Sequence, residues 1–338
     1  MRAVLMERGR LWEDEVPIPE PQAGEALVKT AACGICGSDL HAVQHTDTFV
    51  ATSREAGGAF KLTTFEPVVL GHEFAAEVVD YGPKTERKIA PGTLVCSVPV
   101  LTRSTPTPVG YSADAPGGFA EYMLLSERLL LPVPGDLPAE HAAFTEPMAV
   151  GLHAVRKAQL TGREAIVVLG CGPVGLAVIT ALRAQGAGPI VASDYSPGRR
   201  ALALTQGAHA IVDPGHTDPF VEAAQLKRPA TTVFECVGVP GMLDQLFLNV
   251  PQDTRIVVVG VCLEQDQLRP LIAINKELNL QFVLGYSLAE FEETLRGIAD
   301  GRFAIEPLIT ETVELAGVAD AFERLAAPQA LGKVLVKP

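Results

Sequence analysis

The chain has 338 residues, 48% of them hydrophobic, with 27 Lys and Arg against 40 Asp and Glu for a net charge of −13. At roughly 150 residues per domain the length predicts about two domains, and the apolar content excludes a disordered, collagen-like or coiled-coil chain. The negative charge, with no Lys/Arg cluster to offset it, argues against duplex nucleic acid and anionic membrane surfaces as partners.

The first eight residues, Met1 to Arg8, turn charged too early for a secretory leader. Up to about residue 145 the chain shows short strand-like runs, at 26–29, 75–79 and 93–98, separated by Gly and Pro. Short strands with turn signals between them predict a β-rich, partly barrel-like unit. From about 147 the texture changes. A helix over 149–159 leads into strands at 165–169, 190–193, 210–212, 232–235, 255–259 and 280–283, with helical segments such as 199–206 and 241–249 between them. Apolar strands alternating with helices predict a parallel sheet covered on both faces. Beyond 286 come a helix over 288–299, a second over 316–326 and a last strand at 333–336. That tail is too short to bury a core alone. The expected domains are therefore 1–146, 147–285, and 286–338 returning to the first.

Residues 165–182 carry no charge, the length of a marginal membrane span. Gly170-Cys171-Gly172-Pro173 lies inside this window, so a strand, a glycine turn and a helix explain it better. Six cysteines (Cys33, Cys36, Cys96, Cys171, Cys236 and Cys262) are too sparse for a disulfide framework, and reduced thiols in the cytoplasm are the expectation.

The run from Val167 to Leu176 reads as strand, then Gly170-x-Gly172-x-x-Gly175, then helix. The glycines permit a tight turn and close approach of a pyrophosphate, and the helix opening at Pro173 and Val174 offers free N–H groups. The next strand ends at Asp194, where a carboxylate suits a ribose 2′-hydroxyl and repels a 2′-phosphate. Asp194 thus favours NAD over NADP, although Arg199 and Arg200 follow closely. The same turn also serves flavins and methyltransferases.

Cys33-Gly34-Ile35-Cys36-Gly37-Ser38-Asp39-Leu40-His41 is followed by Gly71-His72-Glu73 and by Glu146-Pro147. Thiolate, imidazole and carboxylate are zinc ligands, and three of them with one open position make a catalytic site. The bland readings are a redox pair or half a structural zinc site for the cysteines, a core histidine for His72 and a helix N-terminal acid for Glu146. The first would want a thioredoxin-like surround and the second another C-x-x-C; neither is present. His45 and His153 are read as structural.

Together with Gly117–Tyr122, 146–151, 234–238 and the terminal Gly332-Lys333-Val334-Leu335, these motifs resemble the zinc-dependent medium-chain alcohol dehydrogenases, nearest to the polyol, threonine and sugar dehydrogenase branch. The resemblance implies an α/β fold: a GroES-like β-rich catalytic domain plus a Rossmann doubly wound parallel sheet. It implies Cys36, His72, Glu73 and Glu146 as the zinc ligand set, Glu73 binding directly or in exchange with substrate or water, with Cys33 not a ligand. It implies Ser38 and His41 as a proton relay, Asp39 as a supporting group outside the ligand set, and Val237, Val259 and Val261 bordering the nicotinamide. Zinc would polarise an alcohol, Ser38 would pass its proton on, and hydride would move to NAD. The expected substrate is a neutral secondary alcohol or polyol, or the ketone in reverse, and the expected assembly a homodimer or homotetramer. A zinc-free quinone or enone reductase and a non-catalytic NAD-binding redox sensor are the alternatives. The chain departs from the family at two places. Residues 92–117 hold only Cys96 where many members hold four cysteines, which predicts no structural zinc and a surface loop over 101–108. The long segment 42–70 reads equally as a solvated loop or a lid.

Overall fold

The structure is a computed structural model that describes residues 1–57, 62–327 and 332–338; Phe60 of the 42–70 segment lies outside the described residues. The chain forms two compact units. One comprises Met1–Glu146, Phe291–Asp300 and Ile309–Pro338, the other Pro147–Glu290 and Gly301–Leu308.

The first unit opens with β1 (Arg2–Glu7), β2 (Arg10–Glu15) and β3 (Glu25–Gly34), then helices α1 (Gly37–Gln44) and α2 (Thr46–Glu55). Strands β4 (Val68–Val69), β5 (Glu73–Tyr81) and β6 (Leu94–Ser97) follow, then β7 (Val100–Leu101), β8 (Thr107–Pro108), β9 (Tyr122–Ser126), β10 (Leu130–Pro132) and helix α3 (Ala139–Ala142); α4 (Thr145–Ala158) begins in this unit and continues in the second. β3 and β5 pair antiparallel through two register shifts. Such bulges bend a sheet and increase its twist.

Two segments differ from the sequence expectation. Half of the expected loop or lid at 42–70 is helical: α2 buries Phe49 and Val50. The stretch 101–108 is a hairpin of β7 and β8 in which Leu101 and Thr107 are buried and only 104–106 are exposed. Apolar side chains at both hairpin ends pull it down, so the run of Ser, Thr and Pro reaches solvent only at its tip.

The second unit is built on β11 (Glu164–Leu169), α5 (Pro173–Ala184), β12 (Ile190–Ser193), α6 (Pro197–Gln206), β13 (Ala210–Val212), α7 (Pro219–Gln225), β14 (Ala230–Glu235), α8 (Met242–Asn249), β15 (Arg255–Val258), α9 (Pro270–Asn275) and β16 (Asn279–Phe282). The six strands run parallel in the order β13-β12-β11-β14-β15-β16. This is the doubly wound arrangement, with the crossover point beside β11. β11 is buried along its whole length, and Val167, Val191, Val233 and Ile256 pack with Leu246 and Phe247 of α8. The apolar, β-branched strands follow from burial on both faces.

After α10 (Leu288–Ala299), the strand β17 (Ile309–Val313), the helix α11 (Val318–Leu325) and β18 (Lys333–Val336) complete the first unit. β18 inserts between β17 and β3, placing Leu335 opposite Gly34 and Val336 opposite Cys33. The α/β class with a β-rich unit and a doubly wound parallel sheet is the one the sequence predicts. Among the described residues, no helix is long and apolar enough to cross a membrane.

Candidate active site

In the first unit, β3 ends at Gly34 and the chain turns into α1 at Cys36. Asp39, three residues into the helix, returns its carboxylate to the Cys36 N–H at 2.9 Å. This closes the helix N-terminus and aims Cys36 and Ser38 to one side. Across the sheet, β5 begins at Glu73. Gly71 just before it adopts φ +100°, and a Cβ there would meet the Phe119 ring and Cys33 Sγ within 3 Å. Only glycine fits, and the turn it makes places His72 and Glu73 opposite Cys36. One donor atom each of Cys36, His72 and Glu73 lies within 4.8 Å of the others.

The electrostatics of this cluster are set by buried neighbours. His72 Nδ1 lies 3.3 Å from Asp39 Oδ1, yet the geometry falls short of a hydrogen bond and leaves Nδ1 buried without one. Burial would depress the imidazole, but the Asp39 and Cys36 charges hold it well above 6.5. Glu73 is gripped from behind: Lys333 Nζ donates to both its carboxylate oxygens at 2.7 Å and to Ile35 O at 3.1 Å. Burial alone would lower the lysine; Glu73, Cys36 and Glu146 raise it above 10.5. Glu146, second residue of α4, thus lies within the field of Lys333 but outside the three-residue gathering. Cys33 is fully buried, and burial, then Asp39 and Glu73, push its thiol well above 9.0. It stays protonated and outside the cluster.

A thiol, an imidazole and a carboxylate with donor atoms this close together form a donor set that fits zinc. The orphaned Nδ1 fits as well. With Nε2 on a cation, Nδ1 carries the proton and faces the Asp39 carboxylate. Ser38 Oγ sits 3.5 Å from His72 Nε2, and Tyr111 donates its hydroxyl toward Ser38 Oγ at 2.8 Å. His41 is three residues after Ser38 on α1, hence on the same helical face. Burial, then His45 at a ring distance of 6.3 Å, lowers His41 from 6.5.

In the second unit the glycine turn joins β11 to α5. A Cβ on Gly175 would lie 1.9 Å from Gly170 O, whereas one on Gly172 would meet open space. The first pair closes the turn, and the space at Gly172, before the free N–H groups of the first turn of α5, fits a pyrophosphate. Asp194, at the end of β12, accepts from the Cys171 and Ser196 N–H groups at 2.8 Å each. Arg199 approaches it to 3.9 Å, while Arg200 is tied to Asp194 O, Tyr195 O and Asp213. Beyond β14, Glu235 Oε1 accepts from the Val237 and Gly238 N–H groups at 2.7 and 2.8 Å. Burial raises this carboxyl above 4.5. Val237 and Val261 are partly exposed on adjoining turns, and Val259 is buried.

The alcohol dehydrogenase GroES-like domain family matches residues 22–135, and the zinc-binding dehydrogenase family matches 173–300. The chain belongs to the zinc-type medium-chain alcohol dehydrogenases. It is 33% identical to (R,R)-butanediol dehydrogenase of Bacillus subtilis (strain 168), over 96% of each chain. It is 29% identical to sorbitol dehydrogenase of the same organism, over 96% of this chain and 93% of that one. A solved structure from Sinorhizobium meliloti 1021, described as a candidate zinc-binding dehydrogenase bound to NADP, superposes with a TM-score of 0.85 at 30% identity, over 100% of this chain and 99% of that one. The protein is accordingly an oxidoreductase of the alcohol/polyol dehydrogenase family that moves hydride between an alcohol and a nicotinamide cofactor, with zinc.

Two groups at the site were not singled out in the sequence. Lys333 is visible there only as part of the terminal Gly-Lys motif; its signal is a lysine opening a strand that is otherwise wholly apolar. Tyr111 lies in the stretch that departs from the family and has no signal beyond being an aromatic after a glycine.

Proposed function

We propose that this dehydrogenase oxidises neutral secondary alcohols or polyols with NAD, using one catalytic zinc per chain. The observation that carries this reading is the gathering of Cys36, His72 and Glu73 beside Ser38. Cys36, His72 and Glu146 would hold the metal, with Glu73 joining them directly or in exchange with substrate or water. When bound, zinc would supply Lewis acidity and nicotinamide the hydride acceptor. Ser38 takes up the hydroxyl proton, and His41, neutral at neutral pH because its pKa is lowered, receives it. Lys333 spends its ammonium on Glu73 and Ile35, so it offers nothing to an anionic substrate. That supports a neutral one, in keeping with relatives named for butanediol and sorbitol.

NAD is favoured because Asp194 places a carboxylate where a 2′-phosphate would sit and Arg200 is already committed. A relative carries NADP, so the choice is measured on this chain rather than inherited. A single zinc is supported by the 92–117 stretch. Its one cysteine, Cys96, is buried and bonded to Ala142 O. The six free cysteines, three of them buried, suit the reducing cytoplasm. Exposed Phe282 at the end of β16 and Leu284 just beyond it support a homo-oligomer paired at that sheet edge.

The test is NAD and NADP reduction over a panel of secondary alcohols, polyols and sugar alcohols, with metal analysis, a chelator arm and Cys36→Ser. Expected are one zinc per chain, chelator-sensitive turnover favouring NAD, and joint loss of zinc and activity in Cys36→Ser. Turnover that survives complete metal removal would instead establish the zinc-free reductase reading.

A further inference from the structure

Tyr111 is buried, and its hydroxyl lies 2.8 Å from Ser38 Oγ and 3.2 Å from Asp39 Oδ1. Its ring is 5.2 Å from the His72 ring and stacks on Phe49 at 5.8 Å and 19°. Phe49 is itself buried, on α2. The two segments in which this chain departs from its family, 42–70 and 92–117, therefore meet behind Ser38.

Serine has three staggered rotamers that place Oγ in different directions. At the first turn of a helix, next to Gly37, little in the local backbone selects one. The Tyr111 contact does. The phenol carries one proton and two acceptor lone pairs. With its O–H on Asp39 it accepts from Ser38, and with its O–H on Ser38 it leaves the serine proton free to go elsewhere. Turning one hydroxyl exchanges the two states while Oγ stays tethered. We propose that Tyr111 is a positioning residue of the dehydrogenation: its hydroxyl holds Ser38 Oγ where it takes up the substrate proton, and Phe49 holds the ring that carries this hydroxyl. The proton balance closes without Tyr111. Ser38 gains the substrate proton and releases its own toward His41, and the phenol ends with the proton it began with. The inference rests on the reading of Ser38 as the relay group.

Tyr111→Phe keeps the ring packing and removes the hydroxyl, with its contacts to Ser38 Oγ and Asp39 Oδ1. The expected result is a fall in kcat of about tenfold, with KM for alcohol and NAD within about twofold, since the proton transfer and not binding is affected. Zinc content and melting temperature stay those of the wild type. The solvent deuterium isotope effect on kcat rises as proton transfer becomes more rate-limiting. In a Ser38→Ala background Tyr111→Phe costs less than about twofold more, because a residue acting through Ser38 has nothing left to position. Phe49→Leu keeps the hydroxyl but loosens the ring, and lowers kcat in the same direction by about threefold. The proposal is overturned by Tyr111→Phe at full kcat, by a loss that multiplies in full with Ser38→Ala, or by a loss that tracks departing zinc. A slow Ser38→Ala beside a full-rate Tyr111→Phe removes this inference alone. Ser38→Ala at wild-type kcat removes the relay reading and the inference with it.

Discussion

Lys333 and Glu73 are both nearly inaccessible to water, at 3% and 1% side-chain exposure. A buried pair of this kind gains little over an apolar pair, but losing one partner strands the other charge. Lys333→Met is expected to cost about 3–5 kcal/mol, read from urea unfolding at neutral pH. The pH dependence has a definite sign. The folded-state pKa of Lys333 lies above 10.5, so its contribution is complete below 10.5 and is lost as pH rises through the folded value. The wild type should lose stability along that alkaline limb, and the Met variant should lack this component; parallel limbs would contradict the assignment. His41 acts at the opposite end of the scale. Its pKa lies below 6.5, so the neutral acceptor form persists through neutrality and is lost as pH falls. The kcat for alcohol oxidation should decline on the acid side of 6.5, and His41→Gln should flatten that limb. An unaltered acid limb in the variant would take His41 out of the relay.

Elements that bury a continuous apolar face could be read from the sequence. β11, β12 and β15 are built on runs of Ile, Val and Ala, β14 adds Thr and Phe, and the α/β alternation follows from them directly. α2 was not legible. Its sequence, TDTFVATSRE, is rich in β-branched and short polar residues that form helix poorly, and burial of Phe49 and Val50 overrides that propensity. The candidate ligands Cys36, His72, Glu73 and Glu146 are legible because they are metal-binding residue types in recognisable motifs, and the structure gathers the first three of them. Lys333 and Tyr111 come from strands and turns far away in the chain, and only the pairing of β18 with β3 and the packing beneath α2 reveal what they touch. The start of α10 shows the same limit in another element. Ser287 and Glu290 form a capping box: Glu290 Oε2 accepts from Ser287 N–H at 2.7 Å, Ser287 Oγ at 2.8 Å and His153 Nδ1 at 2.9 Å. The spacing is readable, but the histidine, 137 residues away, is not. Burial would raise the Glu290 carboxyl; the Ser287 and His153 bonds bring it below 4.5. Its contribution is therefore complete above 4.5 and lost as pH falls through the folded value. Glu290→Ala should cost roughly 2–3 kcal/mol in urea unfolding at neutral pH and less under acid, as charged hydrogen bonds of this kind do. An equal cost at both pH values would show that the carboxylate charge is not what holds the helix start.

At the scale of the whole molecule, the chain divides its chemistry between two folds. The proposed metal-ligand and relay residues sit in the β-rich unit, and the glycine turn and Asp194 sit in the unit of the parallel sheet. The sheet has one further property that the chemistry does not explain. β16 is an edge strand of four residues with no charge in it, and Phe282 at its end is 61% exposed. Leu284 just beyond is 87% exposed, and Leu271 and Ile274 of the neighbouring α9 are exposed to about two thirds. An uncharged open edge flanked by large apolar side chains is an aggregation hazard unless it is covered, and natural sheets blunt their edges with charge or proline. A second copy related by a twofold axis covers it most economically, since antiparallel pairing of two β16 strands extends the sheet and buries both apolar sets in one self-complementary contact. The double substitution Phe282→Glu, Leu284→Glu should then convert the oligomer to a smaller species in sedimentation, with NADH binding to the isolated chain changed by less than about twofold if the glycine turn is untouched. A wild-type chain that sediments as a monomer, or a variant that keeps the full assembly, would show that this edge is left open in solution and that its apolar residues serve something other than self-association.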